Sequence, residues 1–96
     1  MDYVSDYRFL LALHLKDISK RYGALYYDIL KSQLSSDAQA AYTAGLNHIF
    51  EYMNKRHGLN SSDMLAIHET VIETLLTEFV MSTVEKVLGD KPELLH

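Results

Sequence analysis

The sequence contains no cysteine, no tryptophan and a single proline. The lack of cysteine excludes disulfide bonds, thiolate metal sites and a cysteine nucleophile. No apolar run approaches the ~20 residues that a membrane helix requires, and Asp2 and Asp6 interrupt the pattern of a secretory signal. We therefore expect a cytoplasmic protein that does not contact a membrane.

The local patterns of catalytic and cofactor sites are also missing. There is no glycine-rich phosphate loop and no strand–turn–helix segment that would present a nucleophilic serine. His68 and Glu69 begin like a zinc-protease motif, but the second histidine is absent because Ile72 occupies its position. We therefore expect a protein that is not an enzyme and that carries no metal or cofactor.

What the chain does contain is a globular composition. Its 96 residues are 48% hydrophobic, and 13 acidic residues against nine basic ones give a net charge of −4. A chain of this length is sufficient for one domain and too short for two. We expect a single domain over residues 1–96.

Apolar residues recur with helical spacing in three long segments, and no segment alternates for long with the two-residue period of a strand. The predicted fold is therefore all-α. Ser36 with Gln39 fits a capping box, and Gly58 and Gly89 are placed to end helices. The three predicted helices cover residues 3–33, 36–57 and 62–88, followed by a short tail at 89–96.

The first predicted helix is unusually long for so small a chain. Residues 3–33 would span about 45 Å, whereas a compact chain of this size has a radius of gyration of about 12–13 Å. The helix therefore either bends near Gly23, which gives a compact four-helix monomer, or protrudes and packs against a second copy. The apolar run from Phe9 to Leu13 favours the second possibility, because it surrounds the helix and one neighbouring face cannot cover it.

We accordingly predict a helical bundle shared between the two chains of a homodimer. A second apolar stripe begins the third predicted helix, and three helices of one chain offer little surface to bury both. The predicted dimer interface comprises Phe9, Leu10, Leu11, Leu13, Met64, Ile67 and Val71.

The first half of the second predicted helix is nearly bare of large side chains. Four alanines between residues 38 and 44 precede Gly45, which lies on the apolar face. Since glycine is a poor helix former, its presence there predicts that a neighbouring backbone approaches closely.

Two surface features indicate a protein partner. The third predicted helix carries an acidic outer face, although like charges one turn apart, as at Glu69 and Glu73, mildly destabilise their own helix. Tyr26 and Tyr27 cannot both face the same neighbour, so at least one is predicted to be exposed, as aromatic residues often are at interfaces. The predicted partner-binding residues are Glu69, Glu73, Glu78, Glu85, Tyr26 and Tyr27.

These features predict a small non-enzymatic helical interaction protein that regulates, inhibits or adapts a macromolecular partner. A basic partner that handles nucleic acid would suit the acidic face, since complementary charge speeds association. The alternative is a face that only keeps the protein soluble, with the tyrosines in ordinary packing.

A second possible function is that of a dimeric DNA-binding transcription regulator. The segment from Met53 to Ile67 resembles a helix-turn-helix with Gly58 in its turn, and Lys55 and Arg56 would contact the DNA. The negative net charge and the lack of a continuous basic row argue against nucleic acid as a ligand, because DNA affinity depends on neutralising phosphates.

A third possibility rests on a local resemblance. The segment His14–Ser19 (HLKDIS), followed by Gly23, resembles the phosphoacceptor stretch of histidine phosphotransfer domains, which are helical bundles. In that family the lysine lies three residues after the histidine, whereas Lys16 lies two after it and Asp17 follows. The resemblance covers about eleven of the 96 residues and implies a phosphotransfer protein with His14 as the phosphoacceptor.

Overall fold

The protein is described by a computed structural model, which covers the backbone of residues 2–89 and the side chains of residues 2–83. The predicted all-α fold is confirmed, since the described residues form helices and connecting turns. Their number differs from the prediction, with four helices in this part of the chain instead of three. The helices are α1 (Tyr3–Tyr22), α2 (Tyr26–Leu30), α3 (Ser36–His57) and α4 (Ser61–Gly89).

The first predicted helix, residues 3–33, is divided in two, because the chain breaks at Gly23, where a bend was one of the two alternatives. This glycine adopts a left-handed conformation (φ 65°) and caps the C-terminus of α1, a role for which glycine is favoured because it lacks a Cβ. The Ser19 hydroxyl donates to the carbonyl of Ala24 (2.7 Å) and fixes the turn. The break allows α2 to fold back beside α1 and α4.

The starts of α3 and α4 are set by side-chain caps. α3 has the predicted bounds, but its N-cap is Ser35 instead of Ser36, and the Ser35 hydroxyl accepts from the Ala38 amide (3.4 Å). At the start of α4, Asn60 and Asp63 each accept a hydrogen bond from the other's backbone amide (2.9 and 3.3 Å). These reciprocal bonds satisfy amides that a helix start leaves free. α4 extends to Gly89, and the rest of the predicted tail lies outside the described residues.

The hydrophobic core lies mainly between α1 and α3, with α2 and α4 packed against it. α1 contributes one stripe of side chains that recur every three or four residues, as expected for a helix with one buried face. The buried members of the core are Tyr7, Leu11, Leu15, Ile18, Ile29, Tyr42, Ile49, Met53, Met64 and Val71.

The molecule is elongated, because α4 is longer than the body that it packs against. Its 29 residues span about 43 Å at ~1.5 Å per residue, close to the longest dimension of the molecule, 53 Å. The radius of gyration is 15.9 Å, compared with about 12.5 Å for a compact chain of this length. None of the helices within the described residues combines the length and apolarity needed to cross a membrane.

Gly45 permits close packing between α1 and α3. The group that approaches Gly45 is the side chain of His14, whereas a neighbouring backbone was predicted. A Cβ added at Gly45 would overlap the imidazole ring of His14. That ring stacks on Tyr42 with centroids 5.4 Å apart, and its Nε2 donates to the Tyr42 carbonyl (2.8 Å). The lack of a side chain at Gly45 therefore makes room for His14.

We expect the effect of Gly45→Ala on the free energy of unfolding to depend on the residue at position 14 and to change sign when His14 is replaced by alanine. In the wild type it displaces the His14 ring and its hydrogen bond, whereas in a His14→Ala background it gains about 0.5–1 kcal/mol from better helix propensity. Urea unfolding of the four proteins should give a coupling of about 1–3 kcal/mol, as for residues in direct contact. An equal effect of Gly45→Ala in both backgrounds would contradict this packing.

Candidate protein-interaction surface

α2 and α4 together form an exposed apolar surface, which we call the α2–α4 surface and define by Tyr26, Tyr27, Phe79, Val80 and Met81. Tyr27 packs against Phe79 with ring centroids 5.7 Å apart. Two hollows of about 270 Å³ each flank this contact, one on the Tyr26 side and one between Tyr27 and Met81. Both predicted tyrosines therefore belong to a single surface.

Most of this surface is open to solvent. Tyr26, Phe79, Val80 and Met81 are 42–53% exposed, while Tyr27 is half-buried. Single exposed apolar residues are ordinary, but a contiguous patch of large ones is typical of sites that bind another macromolecule. The amino group of Lys31 lies over the Tyr27 ring, 5.9 Å from the ring centre. It places one positive charge beside the α2–α4 surface.

Two of the predicted acidic residues adjoin this surface. Glu69 and Glu73 are exposed on α4 and line a third hollow of about 390 Å³, which we call the acidic pocket. Leu76 and Thr77 line both this pocket and the hollow beside Tyr27. The acidic and aromatic residues that were predicted separately are thus neighbours on one side of α4.

The other two predicted glutamates are placed differently. Both carboxylate oxygens of Glu78 accept from the Arg8 guanidinium (2.7 and 2.8 Å), which ties α4 to α1 across the surface. Both partners are about half exposed, so the pair contributes little to stability, but it neutralises the charge of Glu78. Glu85 lies among the residues whose side chains are outside the described part of the chain.

The inner wall of the acidic pocket is formed by Tyr42 of α3 and His68 of α4. Behind them the buried Tyr7 hydroxyl donates to Nδ1 of His68 (2.5 Å) and joins α1 to α4. Burial is the main cause that raises the pKa of Tyr7 above its usual range, and it raises the pKa of Tyr42 to about 12. Burial also lowers the pKa of His68, against a smaller opposing effect of Glu69, so this histidine is neutral at neutral pH.

This polar cluster joins side chains from the apolar faces of three helices. His68, which begins the incomplete zinc-protease motif, has the Tyr7 hydroxyl as its hydrogen-bond partner there. Tyr7 and Tyr42 were not singled out, since each lies in a stripe of apolar residues where a tyrosine is indistinguishable from other large side chains. Their position on the apolar stripes was the available signal, because a buried phenol usually has a polar partner.

The residues of the predicted dimer interface separate into two groups. Leu11, Met64 and Val71 are buried in the core of the single chain, and Leu10 and Ile67 are half-buried against it. Their burial requires no second copy, because the break after α1 brings α2 and α4 over the core.

Two members of that predicted interface remain exposed. Phe9 is 62% and Leu13 is 51% exposed, one turn apart on the side of α1 that faces away from the core. They are therefore the residues of the set that a second copy could cover.

The basic end of α3 is tied to α1. Asp6 is buried, and its carboxylate accepts from His57 Nε2 (2.9 Å) and lies 3.7 Å from Arg56 Nε. Lys55 is exposed beside them. Arg56 and His57 thus pair with an acidic residue of the same chain, an arrangement that stabilises the packing of α1 on α3 and directs neither of them to a DNA phosphate.

His14 is held in place by its neighbours. A phosphoacceptor histidine needs an accessible ring nitrogen, whereas Nε2 of His14 donates to the Tyr42 carbonyl and the ring is packed between Tyr42 and Gly45. Asp17 pairs with Arg21 one turn further along α1 (3.0 Å). The geometry gives His14 a packing role and offers no support for phosphotransfer.

Among residues 2–83 there is no cluster of three or more histidine, aspartate or glutamate side chains that could hold a metal ion. Comparison of the chain with protein-family models, with curated protein sequences and with solved structures gives no match. Among the described residues, the α2–α4 surface and the acidic pocket beside it therefore remain the candidate functional site.

Proposed function

We propose that this chain is a small, non-enzymatic, cytoplasmic interaction protein that binds a basic amphipathic helix of a macromolecular partner. The docking site is the α2–α4 surface together with Glu69 and Glu73. The observation that carries the proposal is the contiguity of these two features, since the acidic pocket and the hollow beside Tyr27 share part of their lining. Binding of this kind would regulate, inhibit or adapt the partner.

The chemistry of the surface selects the class of partner. Exposed aromatic and aliphatic side chains in a groove between two helices suit the apolar face of an amphipathic helix. The carboxylates of Glu69 and Glu73 on the border have no basic partner among residues 2–83. They therefore favour lysine or arginine on the adjacent face of that helix, because charge complementarity steers association and fixes register. Proteins that bind nucleic acid are rich in such basic segments, which is the support for a nucleic-acid-handling partner.

The docking site can be tested by site-specific photo-crosslinking in cells of the native host. A photoreactive phenylalanine analogue replaces Thr77, which lies between the acidic pocket and the hollow beside Tyr27. We expect one dominant cross-linked protein whose attached peptide is basic and amphipathic. Because the contact is partly electrostatic, the yield in lysate should fall as salt rises.

Matched variants decide whether the acidic border takes part. Glu69→Gln with Glu73→Gln should lower the cross-linking yield severalfold, whereas Glu51→Gln with Asp37→Gln removes two exposed charges from α3 and should leave it unchanged. A probe at exposed Asn47 on α3 should give no adduct of the same protein. An acidic or uncharged cross-linked peptide, or equal yields from both variants, would refute the proposal.

The second part of the proposal is a homodimer through the outer face of α1. Phe9 and Leu13 are separated by one turn and by small Ala12, which is also exposed. An antiparallel contact about a twofold axis would place Phe9 of each copy against Leu13 of the other, so the face is complementary to itself. This contact is distinct from the α2–α4 surface and leaves it free for the partner.

A further inference from the structure

We propose that the acidic pocket is a binding site for a guanidinium group carried on an apolar stem. The hollow has a volume of about 390 Å³, within the range of ~300–1,000 Å³ that is usual for small-ligand sites. The group is supplied either by an arginine of the docked segment, in which case the inference rests on the proposed function, or by a free guanidine compound.

The mouth and the floor of the pocket match the two ends of such a ligand. Glu69 and Glu73 lie one helical turn apart, so their carboxylates can accept from both sides of a planar guanidinium. Leu30, Ile72 and Leu76 line the same hollow and provide an apolar floor for the stem. A planar fork with several donors fits two separated acceptors better than the compact ammonium of lysine does.

An independent observation comes from Tyr42, which lines the pocket and is only 3% exposed. Its hydroxyl has no hydrogen-bond partner among residues 2–83, where buried polar groups normally have one. This hydroxyl is not among the unpaired side-chain atoms of the described residues that are sealed from solvent, and the residue that carries it lines the hollow. Its oxygen is available to accept from a bound N–H group.

The surroundings of the pocket are compatible with a cation. His68 is engaged by the Tyr7 hydroxyl through Nδ1 and is neutral at neutral pH, so it adds no positive charge to the wall. The hydroxyls of Ser32 and Thr77 also border the hollow and are further acceptors. The described residues that line the pocket include no lysine or arginine.

The test is a titration of the protein with agmatine, a small guanidine, followed by NMR of the ring protons of Tyr42 and His68. We expect saturable shifts of both rings at pH 7.5. Tyr42→Phe keeps the ring and should weaken binding about tenfold to a hundredfold, the loss expected for one hydrogen bond to a charged group. Glu69→Gln with Glu73→Gln should weaken it at least about tenfold, and the control Glu51→Gln should leave it unchanged.

Two peptide probes identify the source of the guanidinium. A basic amphipathic peptide with one arginine is compared with its lysine twin, and each is compared with agmatine. The affinity of each ligand is obtained from the Tyr42 shifts. A much higher affinity for the arginine peptide than for agmatine would identify a partner side chain, whereas equal affinities would identify a free guanidine. Equal affinities for the arginine and lysine peptides, together with equal affinities of the wild type and Tyr42→Phe, would overturn the inference.

The guanidinium site and the docking surface can fail independently of each other. Peptide cross-links at position 77 with no shifts at Tyr42 would overturn the guanidinium site and leave the docking surface intact. Agmatine shifts at Tyr42 with no cross-linked basic peptide would support the pocket as a site for a free ligand and remove the docking surface.

Discussion

The substitution Leu11→Asp should unfold the protein at 25 °C. Leu11 is fully buried in the centre of the core, and replacing a buried leucine even by alanine costs about 2–5 kcal/mol. An unpaired carboxylate at the same site adds the cost of burying a charge. The total approaches or exceeds the stability of about 5–15 kcal/mol that is typical of a domain. Far-UV circular dichroism and a thermal melt would detect the loss.

Leu13→Asp is the matched control, because it makes the same chemical change two residues further along α1 at a half-exposed position. We expect the fold to be retained. If the outer face of α1 joins two copies, light scattering should show the wild type at twice the mass of the chain and Leu13→Asp at the mass of one. A monomeric wild type would refute the homodimer, and a native melting curve for Leu11→Asp would refute its place in the core.

The second large effect is expected at the bond between Tyr7 and His68. Tyr7→Phe removes the hydroxyl that donates to His68 Nδ1, and leaving a buried acceptor without its partner costs about 1–3 kcal/mol. Chemical unfolding in urea at pH 7.5 measures the loss. Tyr3→Phe is the control, since Tyr3 is 44% exposed and should tolerate the change. Equal stabilities of wild type and Tyr7→Phe would show that this hydrogen bond does not contribute.

The burial of His68 predicts a pH dependence of stability. Because burial lowers the pKa of His68 in the folded state, the unfolded chain binds the proton first as the pH falls below about 6.5. His68 therefore contributes a loss of stability below that pH, at up to ~1.4 kcal/mol per pH unit, and no change above it. In His68→Asn, where the amide oxygen can replace Nδ1 as acceptor, this component should disappear. A wild type and variant with parallel pH profiles between 5 and 7.5 would contradict the argument.

The long helices could be predicted because their information is local. Apolar residues at helical spacing and the glycine after α3 define α3 to the residue, and the start of α4 differs by a single position. The sequence identified Gly23 as the place where the first helix could bend. It did not decide between a bent and a continuous helix, since a glycine inside a helix costs only about 1 kcal/mol. What decides it is tertiary, namely the burial of Ile29 and the packing of Tyr27 on Phe79.

The residues of the candidate site could be predicted individually from the sequence, but their arrangement in space could not. Tyr26, Tyr27, Glu69 and Glu73 were each singled out by type and position. Their contiguity depends on the reversal of the chain after α1, which periodicity does not encode. The pairing of Glu78 with Arg8 joins residues 70 positions apart, and no local pattern predicts it.

α2 has consequences beyond its length of five residues. A helix this short does not persist by itself, because nucleation costs more than a single turn returns. Packing against α1 and α4 therefore keeps α2 helical, and Tyr26 and Tyr27 hold their positions in the proposed docking surface only while α2 stays packed. α2 also contributes the fully buried Ile29 to the core. Release of this one turn would therefore remove Tyr26 and Tyr27 from the proposed docking surface and expose part of the core at the same time, so that loss of the surface and loss of stability are coupled.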